Sequence, residues 1–145
     1  MIKTEIPIKY GSGVKFTRYR VDWTDVKAIG AATSGNVALF TLPAYSIPLA
    51  IIVKHTAVFA GVTGTFKVSV GTSGTATQFT NATADLVATA VADATFQRTN
   101  DPSAGTVAET AVVLNCVSTV GNMSALTAGS VDIYVLTAEP TTPLP

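Results

Sequence analysis

Apolar residues recur at every second position through most of this chain, and that period points to strands rather than helices. The alternation is clearest from Leu49 to Gly71, LAIIVKHTAVFAGVTGTFKVSVG. Successive side chains of a strand point to opposite faces. Leu49, Ile51, Val53, Ala57 and Phe59 therefore share one face of a first strand. Phe66, Val68 and Val70 share one face of a second, with Thr65, Lys67 and Ser69 on the other. Gly61 and Gly64, in the intervening AGVTG, can take the positive φ of a tight hairpin loop. The expectation is a central β-hairpin.

The remaining segments extend the pattern. Residues 2–10 alternate, with Ile2, Ile6, Ile8 and Tyr10 opposite Lys3, Glu5 and Lys9, and Pro7 demotes this strand to an edge or an extended arm. GSG at 11–13 is a turn. From Val14 to Trp23 the apolar set switches from Val14 and Phe16 to Tyr19, Val21 and Trp23, which predicts a bulge or a strand that changes sheets. Residues 25–30 allow one helical turn, TSGN at 33–36 a turn, and Val37–Leu42 a strand; Pro43 and Pro48 bracket an extended connection. Residues 85–92 fit a short helix or a Thr-rich loop equally. RTNDPSAG at 98–105 is a loop. Val107–Val120 holds a long strand, and Ser130–Ala138 a last one with Val131, Ile133 and Val135 on one face and Asp132, Tyr134 and Leu136 on the other. The expected fold is all-β: an antiparallel sandwich or jelly roll of seven to nine strands, with a barrel as the alternative. It would occupy residues 1–138 as one domain, with an N-terminal strand or arm over 1–13 and an extended Pro-rich tail over 139–145.

Charge narrows the function. Charged residues make up 12% of the 145 residues, about half the usual roughly 25%. Charge depletion marks the buried cores of interfaces, so the surface is expected to be covered by copies of the chain or by a larger body, ahead of a neutral secreted module. Net charge is zero, which gives no bulk attraction to nucleic acid or membrane. Residues 1–30 nevertheless carry six cations against three anions, and 31–145 the reverse. The basic segment could dock on an acidic partner, or its lysines could protect an edge strand.

Residue types suited to catalysis are sparse. His55 is the only histidine, on the Ile51–Val53 face, and reads as a packed or inter-subunit residue. Cys116 is the only cysteine; it groups with Val112 and Leu114, as a buried inert thiol does. No metal-ligand cluster, nucleophile elbow or phosphate loop is present, and VGTSGT at 70–75 reads as a turn. Asp22, Asp25, Asp85, Asp93, Asp101, Glu109, Asp132 and Glu139 fall mostly in turns or on polar faces, and no pair is marked out for acid–base work. Tyr10, Phe16, Tyr19 and Trp23 lie near Arg18 and Arg20; they read as one end of the core, with a stacking platform as the alternative. No catalytic, cofactor or metal residue is assigned, and no enzyme activity is expected.

Three features carry a family resemblance: LAIIVKHTAVFAGVTGTFKVSVGTSGTATQF (49–79), TAVVLNCVSTVGNMSALTAGSVDIYVL (110–136), and the neutral Thr/Ala/Gly composition. Over residues 47–138 the chain resembles the capsid decoration (cement) proteins of tailed bacteriophages, which have a jelly-roll-like fold. The resemblance implies a non-enzymatic virion protein, made in the host cytoplasm. It would bind the outer surface of the shell through the major capsid protein and clamp neighbouring subunits, as a dimer or trimer, without nucleic acid or membrane partners. It carries over no contact residue. The alternative is a receptor- or carbohydrate-binding module of a tail, a fibre or a secreted protein.

Overall fold

The computed structural model describes residues 1–6, 14–88 and 107–138, together with the backbone of 94–97. Eight strands lie among them: β1 (Ile2–Ile6), β2 (Val14–Asp22), β3 (Ser34–Leu42), β4 (Ile47–Ala60), β5 (Phe66–Gly71), β6 (Ala94–Gln97), β7 (Thr110–Ser118) and β8 (Ala128–Ala138). A five-residue helix, α1 (Trp23–Lys27), follows β2. One sheet has the order β1-β2-β8-β4-β6 and the other β3-β7-β5, with every pairing antiparallel. From β2 to β8 each strand lies in the opposite sheet from the one before it. That is a jelly roll, the all-β architecture expected from the sequence.

The two inner faces meet in one core. Tyr19 and Val21 of β2, Ile51, Val53 and Phe59 of β4, and Val131, Ile133 and Val135 of β8 come from the larger sheet. Phe66, Val68 and Val70 of β5 and Val112, Leu114 and Cys116 of β7 face them from the smaller one. Each such aliphatic or aromatic side chain contributes about 1.5–3 kcal/mol when fully buried. Phe59 and Phe66 join the sheets directly, with ring centroids 4.6 Å apart.

The central hairpin is not formed. β4 pairs with β8 and β6, and β5 pairs with β7, so the two strands sit in different sheets. Alternation had identified their buried faces correctly, but both faces point into the core from opposite sides. The AGVTG link is a crossing between sheets rather than a hairpin turn. Gly61 has φ +107°, and a Cβ there would stand 2.1 Å from the Ala125 carbonyl oxygen. Glycine is required at this crossing both for its backbone angle and for the close approach.

Three other expectations shift. β2 has no bulge: all nine residues pair in unbroken register with β8. Val14 and Phe16 instead lie on the outer face, and Trp23 leaves the strand to open α1. Leu49 is 43% exposed, because a bulge between Pro48 and Ala50 puts Pro48 inward in its place. Helix α1 matches the single turn expected near Asp25, but begins at Trp23 because Asp22 caps it. The Asp22 carboxylate accepts hydrogen bonds from the Thr24 hydroxyl and N–H, which hold it below the usual carboxylate range, and the Asp22 N–H reaches Asp25 Oδ2 at 3.1 Å. Residues 2–6 form an edge strand. Pro7, Tyr10, the 11–13 turn, the 98–105 loop and the 139–145 tail lie outside the described residues.

The Thr-rich segment after β5 has a role that the alternation did not reveal. Residues 79–86 run beside the otherwise open edge of β5. The β5 N–H groups of Phe66, Val68 and Val70 donate to side chains, Asp85 Oδ1 at 2.9 Å, Thr83 Oγ1 at 3.1 Å and Thr80 Oγ1 at 2.9 Å. The carbonyls of the same three residues accept backbone N–H bonds from Leu86, Thr83 and both Phe79 and Thr80. This strap replaces a fourth strand and leaves few β5 groups without partners. Its Phe79 and Leu86 are buried in the core, and the Leu86 carbonyl accepts from Phe59 N–H, which ties the strap to β4. Residues 84–88 are a bend and turn rather than a helix, and 89–92 lie outside the described residues.

Thr83→Val keeps the side-chain shape but leaves the buried Val68 N–H without an acceptor. It should lower the urea unfolding free energy by about 1–3 kcal/mol. The same change at Thr75, whose side chain is exposed in the turn that follows β5, should stay within about 0.5 kcal/mol.

Candidate interaction surface

A strand that buries one face against a partner sheet normally shows polar residues on the other. The outer face of the five-stranded sheet departs from this. The register aligns Val14, Phe16, Arg18 and Arg20 of β2 with Ala138, Leu136, Tyr134 and Asp132 of β8. On the far side of β8 stand Ile47, Ala50, Ile52 and Lys54 of β4. One end of the face is therefore apolar. Phe16, Ile52, Tyr134 and Leu136 are half-buried by one another, and the Phe16 and Tyr134 rings lie 6.0 Å apart. Ile47 is 48% exposed at its margin.

The other end is built around one carboxylate. Asp132 is buried although it points outward, because neighbouring side chains cover it. Arg20 Nε donates to its Oδ1 at 2.9 Å, and Arg18 Nη1 stands 3.9 Å from Oδ2, an ion pair too long to be a hydrogen bond. Lys54 lies directly across from Asp132 on β4 and is exposed. Three cations thus surround one anion at this end of the face.

The outer face of the smaller sheet differs in kind. It carries Asn36, Ala38 and Thr41 of β3, Val113, Asn115 and Val117 of β7, and Lys67 and Ser69 of β5. The turn that follows β5 lies partly over it: the Ala76 carbonyl accepts from Ser69 Oγ at 2.8 Å and Asn115 Nδ2 at 3.0 Å.

Chains of known structure share this architecture. One from the Cyanophage Pam1 capsid asymmetric unit superposes with a TM-score of 0.62 at 22% identity, over 93% of this chain and 92% of its own. Another, from the capsid of Ralstonia phage GP4, gives 0.57 at 15% identity, over 96% of this chain and 92% of its own. The fold is one found in phage capsids. No family model and no curated protein matches the sequence.

On this capsid-type fold the residues singled out for chemistry are dispersed. His55 is buried, its Nε2 2.9 Å from the Ala57 carbonyl and its ring stacked on Phe59. Cys116 is fully buried in the core, and burial pushes its thiol up to about 12. Asp22 and Asp85 serve as backbone caps and Asp132 as the arginine anchor; Asp93, Asp101 and Glu139 lie outside the described residues. A groove of about 300 Å³ opens between β1, β2 and β3. The carboxylate that lines it, Glu5, is paired with Lys3 at 3.2 Å. Among the described residues no group of three His, Cys, Asp or Glu could hold a metal ion, and no helix is long and apolar enough to cross a membrane.

The aromatic residues are separated as well. Tyr19 stacks on Phe40 in the core, Phe16 lies on the outer face, and Trp23 sits on α1 beneath the Lys27 ammonium. The basic N-terminal segment is likewise divided. Arg18 and Arg20 gather at Asp132, Lys3 and Lys15 line the groove, and Lys27 stays on the helix.

Two measurements follow from this geometry. Arg20→Met removes the close partner of a buried carboxylate and should cost about 1–2 kcal/mol in denaturant unfolding. Lys54→Met, on an exposed side chain, should change stability by no more than about 0.5 kcal/mol. Iodoacetamide at about pH 8 should leave Cys116 unlabelled in the folded protein and label it once denaturant is added, because alkylation needs an accessible thiolate.

Proposed function

We propose that the protein is a non-enzymatic structural component of a phage virion, a decoration protein that binds the outer capsid surface and bridges neighbouring shell subunits. The observation that carries this reading is the likeness to chains of two phage capsids, which runs nearly end to end on both sides. The architecture of the whole chain is shared, rather than one module within it.

The surface physics supports the reading. Low charge keeps the cost of dehydrating a contact small. The crossed sandwich supplies a rigid body, and the outer face of the five-stranded sheet supplies apolar contact area next to a charged end. Repetition around a shell adds strength, because each engaged site raises the effective concentration at the next. The protein would act as a dimer or trimer, and residues 139–145 could reach a neighbouring subunit.

Copy number in purified particles tests the proposal. Quantitative mass spectrometry against the major shell protein should give a count comparable to that of the shell subunit. A few copies per particle would move the assignment to a tail or fibre component, and absence from particles would overturn a virion role.

A further inference from the structure

The geometry points to the outer face of the five-stranded sheet as the shell-facing side, docked on a protein surface that presents a carboxylate beside apolar side chains. The inference rests on the decoration reading and adds the face and the chemistry of its partner.

The two outer faces are not equivalent. The smaller sheet presents Asn36, Thr41, Asn115, Lys67 and Ser69, with Val113 and Val117 as its larger apolar members, and the turn at Ala76 already lies partly over it. The larger sheet presents the continuous apolar group of Phe16, Ile47, Ile52, Tyr134 and Leu136, contributed by three adjacent strands. Dehydrating that group is favourable in proportion to its apolar area.

The charged end selects the partner. Arg18, Arg20 and Lys54 surround a single carboxylate, which leaves two positive charges in excess. A second copy stacked on the same face would bring six cations together with two anions, a like-charge contact that disfavours association. An incoming carboxylate balances the excess. Arg18 can receive it, since its side chain is 35% exposed and its Nη1 stands 3.9 Å from Asp132 Oδ2 without hydrogen-bonding it. The planar fork of arginine suits two-point contact with a carboxylate. Phosphate would satisfy the cations alone, whereas the adjoining apolar group calls for apolar side chains, and so for a protein surface.

The test uses capsids assembled from the major shell protein alone, with the intact decoration protein added. In co-sedimentation, combining Lys54→Gln with Ile47→Gln should weaken binding about tenfold. Both positions are exposed, so the fold is retained. Lys67→Gln, on the opposite outer face, should leave binding within about twofold. Zero-length carbodiimide coupling, which joins lysine to carboxylate, should link Lys54 to an Asp or Glu of the shell protein and leave Lys67 unlinked. Shell binding that falls with Lys67→Gln but not with the double variant would overturn the inference and keep the decoration reading. Coupling of Lys54 to another copy of this chain would overturn it in favour of self-association. Failure of the unaltered protein to bind shells would overturn the decoration reading itself, and the inference with it.

Discussion

The two inner sheet faces can stay dry only together, because from β2 onward every connection carries the chain from one sheet to the other. No pair of successive strands after β2 can form a sheet on its own. The core is therefore assembled from contacts between distant segments: β2 finds β8, β3 finds β7, and the Phe59–Phe66 contact closes the middle. Such topologies fold slowly, since loop closure comes before its reward. They also produce a body that cannot open one hairpin at a time.

The same topology leaves edges, and the chain treats them differently. β5 would be open on one side, and the strap closes it with side-chain oxygens at Thr80, Thr83 and Asp85. Threonine and aspartate can accept a strand N–H where a regular fourth strand would use its carbonyls. The threonine of this neutral composition is thus partly internal: Thr80 and Thr83 are buried and bonded. β1 remains an edge. Its Lys3 and Glu5 pair with each other beside the groove, charged residues of the kind that discourage stray strand pairing.

Which parts of this were legible in the sequence follows from what alternation encodes. A period of two identifies faces, and it identified them well: Val131, Ile133 and Val135 inward, Phe66, Val68 and Val70 inward, His55 and Cys116 buried. It does not encode partners. The same pattern serves a hairpin and a crossing between sheets, and AGVTG has the glycines for either. The strap was illegible because its bonds join residues 10 to 19 positions apart through side chains, with no period of their own. The bulge that exposes Leu49 was hidden because Pro48 and Leu49 are both apolar.

The outer surface was visible in the sequence, but under another interpretation. The switch from Val14 and Phe16 to Tyr19 and Val21 looks like a register slip, yet β2 is regular: its apolar residues lie on the outer face at one end, behind which stand Lys15 and Thr17, and on the inner face at the other, behind which stand Arg18 and Arg20. β8 is apolar on both faces at that end, with Tyr134 and Leu136 outward while Ile133 and Val135 face the core. Part of the outer face is therefore apolar on two adjacent strands, through Val14 and Phe16 of β2 and Tyr134 and Leu136 of β8, where a strand that meets only water is polar. The buried Asp132 sharpens this. A carboxylate held by Arg20 and flanked by Arg18 is a costly thing to place on a sheet face meant only for water. It holds the Arg20 guanidinium at 2.9 Å, with Arg18 at 3.9 Å, beside the apolar group of Phe16, Ile52, Tyr134 and Leu136, so the Arg20 side chain has little freedom left to lose in any contact.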